Sequence, residues 1–216
     1  MSLEMEDYGI VLDEETLAKP LLIFKIGVLG CAPLDFTQVL ASEYDAEFLS
    51  SDLVRKTITD ERETQGNNSK YVDVKRIRSI LGTQAEPILS AGDDVVMDML
   101  INGTKTREFP KGLARNTGAL TLALWINTPF DTAIQRVEQW TKEDAFPIPV
   151  AEWEVPPIAA AKGMMRNVIW PQHEGIDFVF NLRGETDTDG LLEQFDEKLE
   201  HFGLADRYEF ADQPQD

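Results

Sequence analysis

The stretch Leu21-Leu22-Ile23-Phe24-Lys25-Ile26-Gly27-Val28-Leu29 is apolar almost without interruption and ends at Gly30. Such a run predicts a strand buried on both faces, the kind found at the centre of a parallel sheet. The chain then repeats the pattern. Glu47 to Ser50, Val95 to Met97, Leu120 to Ile126 and Ile176 to Leu182 read as four more strands. Between and after them, segments 35–44, 52–60, 72–91, 104–117, 130–142 and 191–202 read as helices, with a break expected near Pro110. The proline-bearing stretch 143–157 reads as a lid or loop with interrupted helix. Strands alternating with helices imply parallel βαβ units. The expected fold is therefore α/β: a three-layer α/β/α sandwich on a mostly parallel five-stranded sheet. Ligands in such sheets bind at the carboxyl ends of the strands, so chemistry is sought just after each strand.

Composition sets the outer limits. The chain has 216 residues, 43% of them hydrophobic, which suits one domain with a real core. The expected organisation is an acidic segment over 1–19, a domain over 20–203 with a lid region at about 138–170, and an acidic tail over 204–216. The formal net charge of −19 is concentrated at the ends. Residues 1–19 hold six acids against one base, and residues 185–216 hold eleven against two. The plain reading is solvated surface; the sharper one is an acidic end that meets a basic protein partner. An extended nucleic-acid footprint needs a basic surface and is disfavoured. No run of about 18 apolar residues is present and the N-terminus is acidic, so no membrane span is expected and the protein reads as cytoplasmic. The one cysteine, Cys31, cannot form an internal disulfide. The two histidines, His173 and His201, disfavour a His/Cys metal cluster.

A phosphate-binding loop of the Walker A type reads Gly-x-x-x-x-Gly-Lys-Ser/Thr between a strand and a helix. Its backbone N–H groups cradle phosphate, its lysine neutralises charge and its hydroxyl holds magnesium. Here that context is filled by Gly30-Cys31-Ala32-Pro33-Leu34-Asp35-Phe36-Thr37. Gly30 and Thr37 match, but the second glycine is Asp35 and the lysine is Phe36. Taken alone, the stretch reads as an ordinary turn into a helix capped by Asp35. Cys31 reads as a small neutral loop residue or, at a helix start, as a redox-sensitive thiol.

Other segments carry reactive residue types in a recognisable order. Ser50-Ser51-Asp52-Leu53-Val54-Arg55-Lys56 follows the second strand. Asp98-Met99-Leu100-Ile101-Asn102 follows the third and leads to Thr106-Arg107. Ile126-Asn127-Thr128-Pro129 opens a helix bearing Arg136. In this order the chain, from about residue 20 to 200, resembles the P-loop kinases of the polynucleotide-kinase and zeta-toxin-like group, relatives of the AAA ATPases. The resemblance implies a general base at Asp52 for an acceptor hydroxyl and a phosphate anchor at Arg55. It implies acceptor contacts at Asp98, Asn102 and Arg107, and nucleotide contacts at Gly30, Thr37 and Arg136, with Thr37 on magnesium. It implies ATP and magnesium as cofactors. The family's lid carries a further arginine where this chain has Trp140. The residues also allow plainer roles. Asp52 reads equally as a helix cap, and Arg55 as a surface partner of Asp52 or Glu61. Asp98, Arg107 and Arg136 read equally as structural or solvated charges, and Thr37 as a helix-start residue. Trp125, Trp140, Trp153 and Trp170 are too scattered for a base-stacking platform.

Phe36 and Trp140 take two cations from the phosphate side, and Asp35 adds an anion. One well-placed contact of this kind supplies about 2–4 kcal/mol of transition-state stabilisation. The expected function is a degenerate P-loop kinase-like pseudoenzyme with weak or absent ATP binding that acts through a partner or ligand. One alternative is an active kinase for the 5′-hydroxyl of a polynucleotide, a nucleoside or a small molecule. In it Lys25, Lys56 or Lys142 would reach the phosphates from another direction. The other is an acidic assembly protein that works through its ends.

Overall fold

The structure is a computed structural model that describes residues 12–65, 72–147, 155–171 and 174–209. Trp153, His173, most of the polar loop at 64–69 and the outer parts of both acidic ends lie outside the described residues.

The apolar run folds as β1 (Leu21–Ile26), buried throughout except at the half-buried Lys25. Its alternation sorts the molecule into layers. Leu21 and Ile23 face one core, shared with Phe36 and Leu40 of α2 (Phe36–Glu43) and Leu191, Phe195 and Leu199 of α8 (Thr188–His201). Leu22, Phe24 and Ile26 face the other. That second core draws on α3 (Ser51–Thr64), α4 (Val74–Ala91) and α5 (Thr104–Thr117). The remaining strands are β2 (Glu47–Ser50), β3 (Val95–Leu100), β4 (Leu120–Asn127) and β5 (Phe178–Arg183). Their order across the sheet is β2-β3-β1-β4-β5, and every pairing is parallel. A third, small cluster joins α6 (Phe130–Glu143) to α7 (Pro157–Met165) through Val137, Phe146 and Ala161, with Leu29, Leu34 and Trp140 packed against it.

Four details differ from the sequence-based expectation. The first strand stops at Ile26 instead of running to Gly30. β3 runs on to Leu100, which puts Asp98 inside the strand rather than after it. α5 passes through Pro110 unbroken, with the proline buried in the interior. Its missing N–H removes one helical bond, and its ring packs inward. α7 begins at Pro157, the last residue of the stretch read as a lid or loop with interrupted helix, because Pro156 and Pro157 stand at the helix cap and first position, where proline starts a helix.

The ends of the described chain are tied to the amino edge of the sheet. α1 (Glu14–Leu17) precedes β1, and α9 (Asp206–Glu209) follows α8. Arg207 in α9 pairs with Asp94 at 2.5 Å and donates to the carbonyls of Leu17, at 2.6 Å, and Lys19. Asp94 in turn accepts the Leu21 N–H at 2.7 Å. Leu204 is fully buried, so packed structure continues past residue 203, where a tail was expected to begin.

Candidate functional site

A cavity of about 380 Å³ opens at the carboxyl ends of β1 and β3, beneath α6 and α7. Its polar lining is Lys25, Ser51, Asp52, Arg55, Arg78 and Asp98. Its apolar lining includes Leu29, Leu34, Ile77, Met99, Trp140 and Met164. Asp52, Arg55 and Asp98, three of the residues singled out from sequence, therefore meet in one place, and Gly30 borders them.

Local backbone chemistry explains how they meet. Phe24 lies opposite Met97, but Lys25 lies opposite Leu100, so β3 bulges at Asp98 and Met99. A bulge re-aims side chains, and this one brings Asp98 Oδ1 to 2.6 Å from Lys25 Nζ. Ser50 ends β2 and caps α3, its hydroxyl accepting from the N–H groups of Asp52 at 3.2 Å and Leu53 at 3.4 Å. The cap is thus Ser50 and not Asp52, whose carboxyl is left to line the cavity. Burial pushes that carboxyl above the usual carboxylate range, the Asp98 charge pushes it further, and Arg55 and Lys25 oppose both. Burial pulls the Lys25 ammonium down, but the negative charge of Asp98, with smaller contributions from Cys31 and Asp52, outweighs it. Lys25 is held as a cation. Among the described residues no carboxylate lies within ion-pairing distance of Arg55 or Arg78. The Arg78 Nε is buried without a hydrogen-bond partner.

The loop beside the cavity spans residues 27–35, longer than the Gly-x-x-x-x-Gly of the Walker motif. Two registers are therefore available. Counted back from α2, Asp35 and Phe36 take the glycine and lysine places. Yet Phe36 is 0% exposed within the core, and Asp35 accepts a 2.7 Å bond from the Thr188 hydroxyl, away from the cavity. Counted forward from the end of β1, the motif begins at Gly27, and Ala32, Pro33 and Leu34 take the glycine, lysine and hydroxyl places. Neither register supplies a lysine.

The loop also closes on itself. The Cys31 N–H donates to the Val28 carbonyl at 3.0 Å, and the Cys31 sulfur lies 2.7 Å from where a Cβ on Gly27 would stand. The Cys31 carbonyl accepts from the Thr128 hydroxyl at 2.5 Å and from Arg136 at 3.2 Å. Arg136 also donates to the carbonyls of Gly30, at 3.3 Å, and Thr186, at 2.7 Å. Gly30, at φ +88°, packs so closely on the Ala133 carbonyl that a Cβ there would collide with it. Burial pushes the Cys31 thiol up, only partly offset by Lys25.

The other predicted residues lie elsewhere. Thr37 is 1% exposed, its hydroxyl has no partner among the described residues, and it does not line the cavity. Arg136 faces a second hollow, shared with Asp35, Gln139, Glu143 and Asp187. Asn102 accepts the Gly27 N–H at 3.0 Å through its side chain and so anchors the end of β1. Arg107 is 0% exposed and its guanidinium is fully engaged. It grips Glu174 through both carboxylate oxygens, at 2.8 and 2.7 Å, and donates to the carbonyls of Asn102, Ile169 and Ile101. The structure uses Arg107 as an internal brace, in place of the expected acceptor contact. Sequence reasoning missed Arg78, whose neighbours Lys75 and Arg76 make it look like one more solvated charge on α4. Among the described residues no cluster of three or more His, Cys, Asp or Glu is disposed to hold a metal ion. Among the same residues no helix is long and apolar enough to cross a membrane.

A family model described as an AAA domain matches residues 23–155. No curated protein matches the chain. Among solved structures, Kti12 of Chaetomium thermophilum, in complex with ADP-AlF3, is similar at a TM-score of 0.58 and 16% identity, over 85% of this chain and 99% of its own length. The APS kinase CysC of Mycobacterium tuberculosis, in complex with AMPPNP and APS, is similar at 0.57 and 11% identity, over 86% of this chain and 98% of that one. A gluconokinase of Sinorhizobium meliloti 1021 is similar at 0.55 and 10% identity, over 91% and 99%. At these identities the likeness is one of fold: a P-loop, kinase-like architecture.

Proposed function

The chain belongs to the AAA domain family, and on that premise we propose that it is a kinase-fold protein that holds a small anionic ligand without efficient phosphoryl transfer from ATP. The observation that carries this reading is the closed loop after β1. A phosphate cradle needs backbone N–H groups turned outward around open space. Here the Cys31 N–H turns inward to Val28, and the Cys31 side chain fills the space over Gly27.

ATP and magnesium, the groups this fold implies, do not fit the residues present. The lysine place is Pro33 or the buried Phe36. Arg136 is spent on loop carbonyls, and Trp140 adds no charge. Thr37 is buried away from the cavity, and Asp98 is already paired with Lys25. P-loop phosphoryl transfer is mainly positioning and charge neutralisation, so losing these groups removes most of what the protein contributes.

A second reading, an active kinase with an atypical donor site, is favoured by Asp52. A cavity carboxyl with a raised proton affinity, beside Arg55, is what a general base for an acceptor hydroxyl requires. Calorimetric titration of magnesium–ATP, run beside an ADP-release screen over hydroxyl acceptors, separates the two. The proposal expects no saturable heat and no ADP. Saturable binding with ADP release that disappears in Asp52→Asn would overturn it in favour of the kinase.

A further inference from the structure

The cavity carries its own cation. Lys25 arises inside the central strand, and only 12% of its side chain is exposed. An ammonium in that position is costly unless it is paired, and the bulge in β3 supplies the pair at 2.6 Å. Asp52 lines the same cavity, near enough for the charges of both Asp98 and Lys25 to act on it. One carboxylate inside β3 and another in the first turn of α3 are the oxygen donors a hard divalent ion takes. Here an ammonium already holds Asp98.

The remaining cations point to what the cavity receives. Arg55 and Arg78 both line the cavity with, among the described residues, no carboxylate at ion-pairing distance, and the Arg78 Nε is buried with no described group to donate to. An unmet buried donor is destabilising until an acceptor arrives. Arginine's planar fork suits a two-oxygen acceptor such as phosphate, sulfate or carboxylate. The facing wall of Leu29, Leu34, Met99, Trp140 and Met164 suits an apolar body.

We propose that Lys25 stands in for a divalent cation beside Asp52 and Asp98, and that the cavity takes, without metal, an oxyanion on an apolar body, the oxyanion held by Arg55 and Arg78. This rests on the reading that the cavity holds an anionic ligand. Its tests use probes other than ATP, so its failure and that of the donor-site reading are told apart.

The probes are phenyl phosphate, inorganic phosphate and manganese alone. Phenyl phosphate is expected to bind by calorimetry in EDTA, with its affinity moving less than about twofold when magnesium replaces EDTA. Inorganic phosphate is expected to bind at least about tenfold more weakly, for want of the apolar body. Arg78→Ala and Arg55→Ala are each expected to weaken phenyl phosphate by about tenfold or more. Lys25→Met, shown to be folded by circular dichroism, is expected to gain manganese binding by electron paramagnetic resonance. Adding Asp98→Asn to that variant is expected to abolish it. A parent protein that already binds manganese at a site lost in Asp98→Asn would overturn the role given to Lys25. So would a folded Lys25→Met that binds no more manganese than the parent. Phenyl phosphate binding that requires magnesium, or that fails in both buffers, would overturn the metal-free ligand class.

Discussion

Arg107 and Arg55 are both helix arginines, and both follow an acidic residue by a few positions or face one across a loop, yet the structure gives them opposite fates. Arg107 is enclosed and every part of its guanidinium is engaged, whereas Arg55 faces an open cavity. Arg107→Ala leaves Glu174 without its buried partner, so a loss of about 3–5 kcal/mol in urea unfolding is expected. A loss below about 1 kcal/mol would show that the brace is dispensable. Asp52 gives a pH signature. Its folded-state proton affinity is raised, so its contribution to stability is full below the ordinary value of 3.8 and is lost as pH rises through the folded-state value. Asp52→Asn removes that loss. The variant is therefore expected to be more stable than the parent at neutral pH, and equal to it in strong acid. Lower stability at neutral pH would mean that the parent needs the ionised carboxylate. Cys31 is 3% exposed with its thiol pushed up by burial. A disulfide reagent should label it at the global unfolding rate and not faster. Of these residues, Asp52 and Arg55 were singled out by resemblance to the kinase group's Asp and Arg after the second strand, and both line the cavity. The bracing role of Arg107 was not legible, because the acid that encloses it lies in a segment distant along the chain.

At the scale of elements, the loop from β1 to α2 admits two registers for the Walker pattern, and they differ in what they ask of the core. Phe36→Lys puts an ammonium in the core, and the variant Asp35→Gly/Phe36→Lys is expected to lose about 3–5 kcal/mol, comparable to deleting a buried aromatic ring. Ala32→Gly/Pro33→Lys/Leu34→Ser alters residues at the rim of the cavity and, although Ala32 is buried and Leu34 packs on the α6–α7 cluster, is expected to lose less than the first variant because it puts no charge in the core. Circular dichroism melts of the two compare the registers directly. Similar stability would place Phe36 outside the core. The elements themselves were largely readable, since apolar runs such as those of β1 and β4 mark strands of a parallel sheet. Their order in the sheet was not, because strand adjacency is settled by helix packing across both faces. The bulge at Asp98 and Met99 was invisible for a related reason: a register shift is a property of two strands, and neither sequence alone contains it. Pro156 and Pro157 misled in the other direction, because proline breaks a helix interior but begins a helix well.

Over the whole molecule, polar chemistry is divided between the two edges of the sheet. The cavity occupies the carboxyl edge, and the Arg207–Asp94 cluster occupies the amino edge. Leu204→Ala is expected to cost about 2–5 kcal/mol, as for other buried leucines. Deleting residues 204–216 should cost more, since it also strips Asp94 of its guanidinium partner. Deleting 210–216 leaves both contacts in place. Urea unfolding of the three proteins would show that order, and equal stability for all three would mean that the cluster contributes nothing. The cluster also bears on chain connectivity. One guanidinium touches Leu17, Lys19 and Asp94, so the start and finish of the packed chain are neighbours in space. A circular permutant, joined across that clasp by a short linker and opened between α3 and α4, would keep every strand pairing of the parent. Lys25, Asp52 and Asp98 meet through the sheet and the helix it positions, so the cavity should survive a chain that is threaded in a different order.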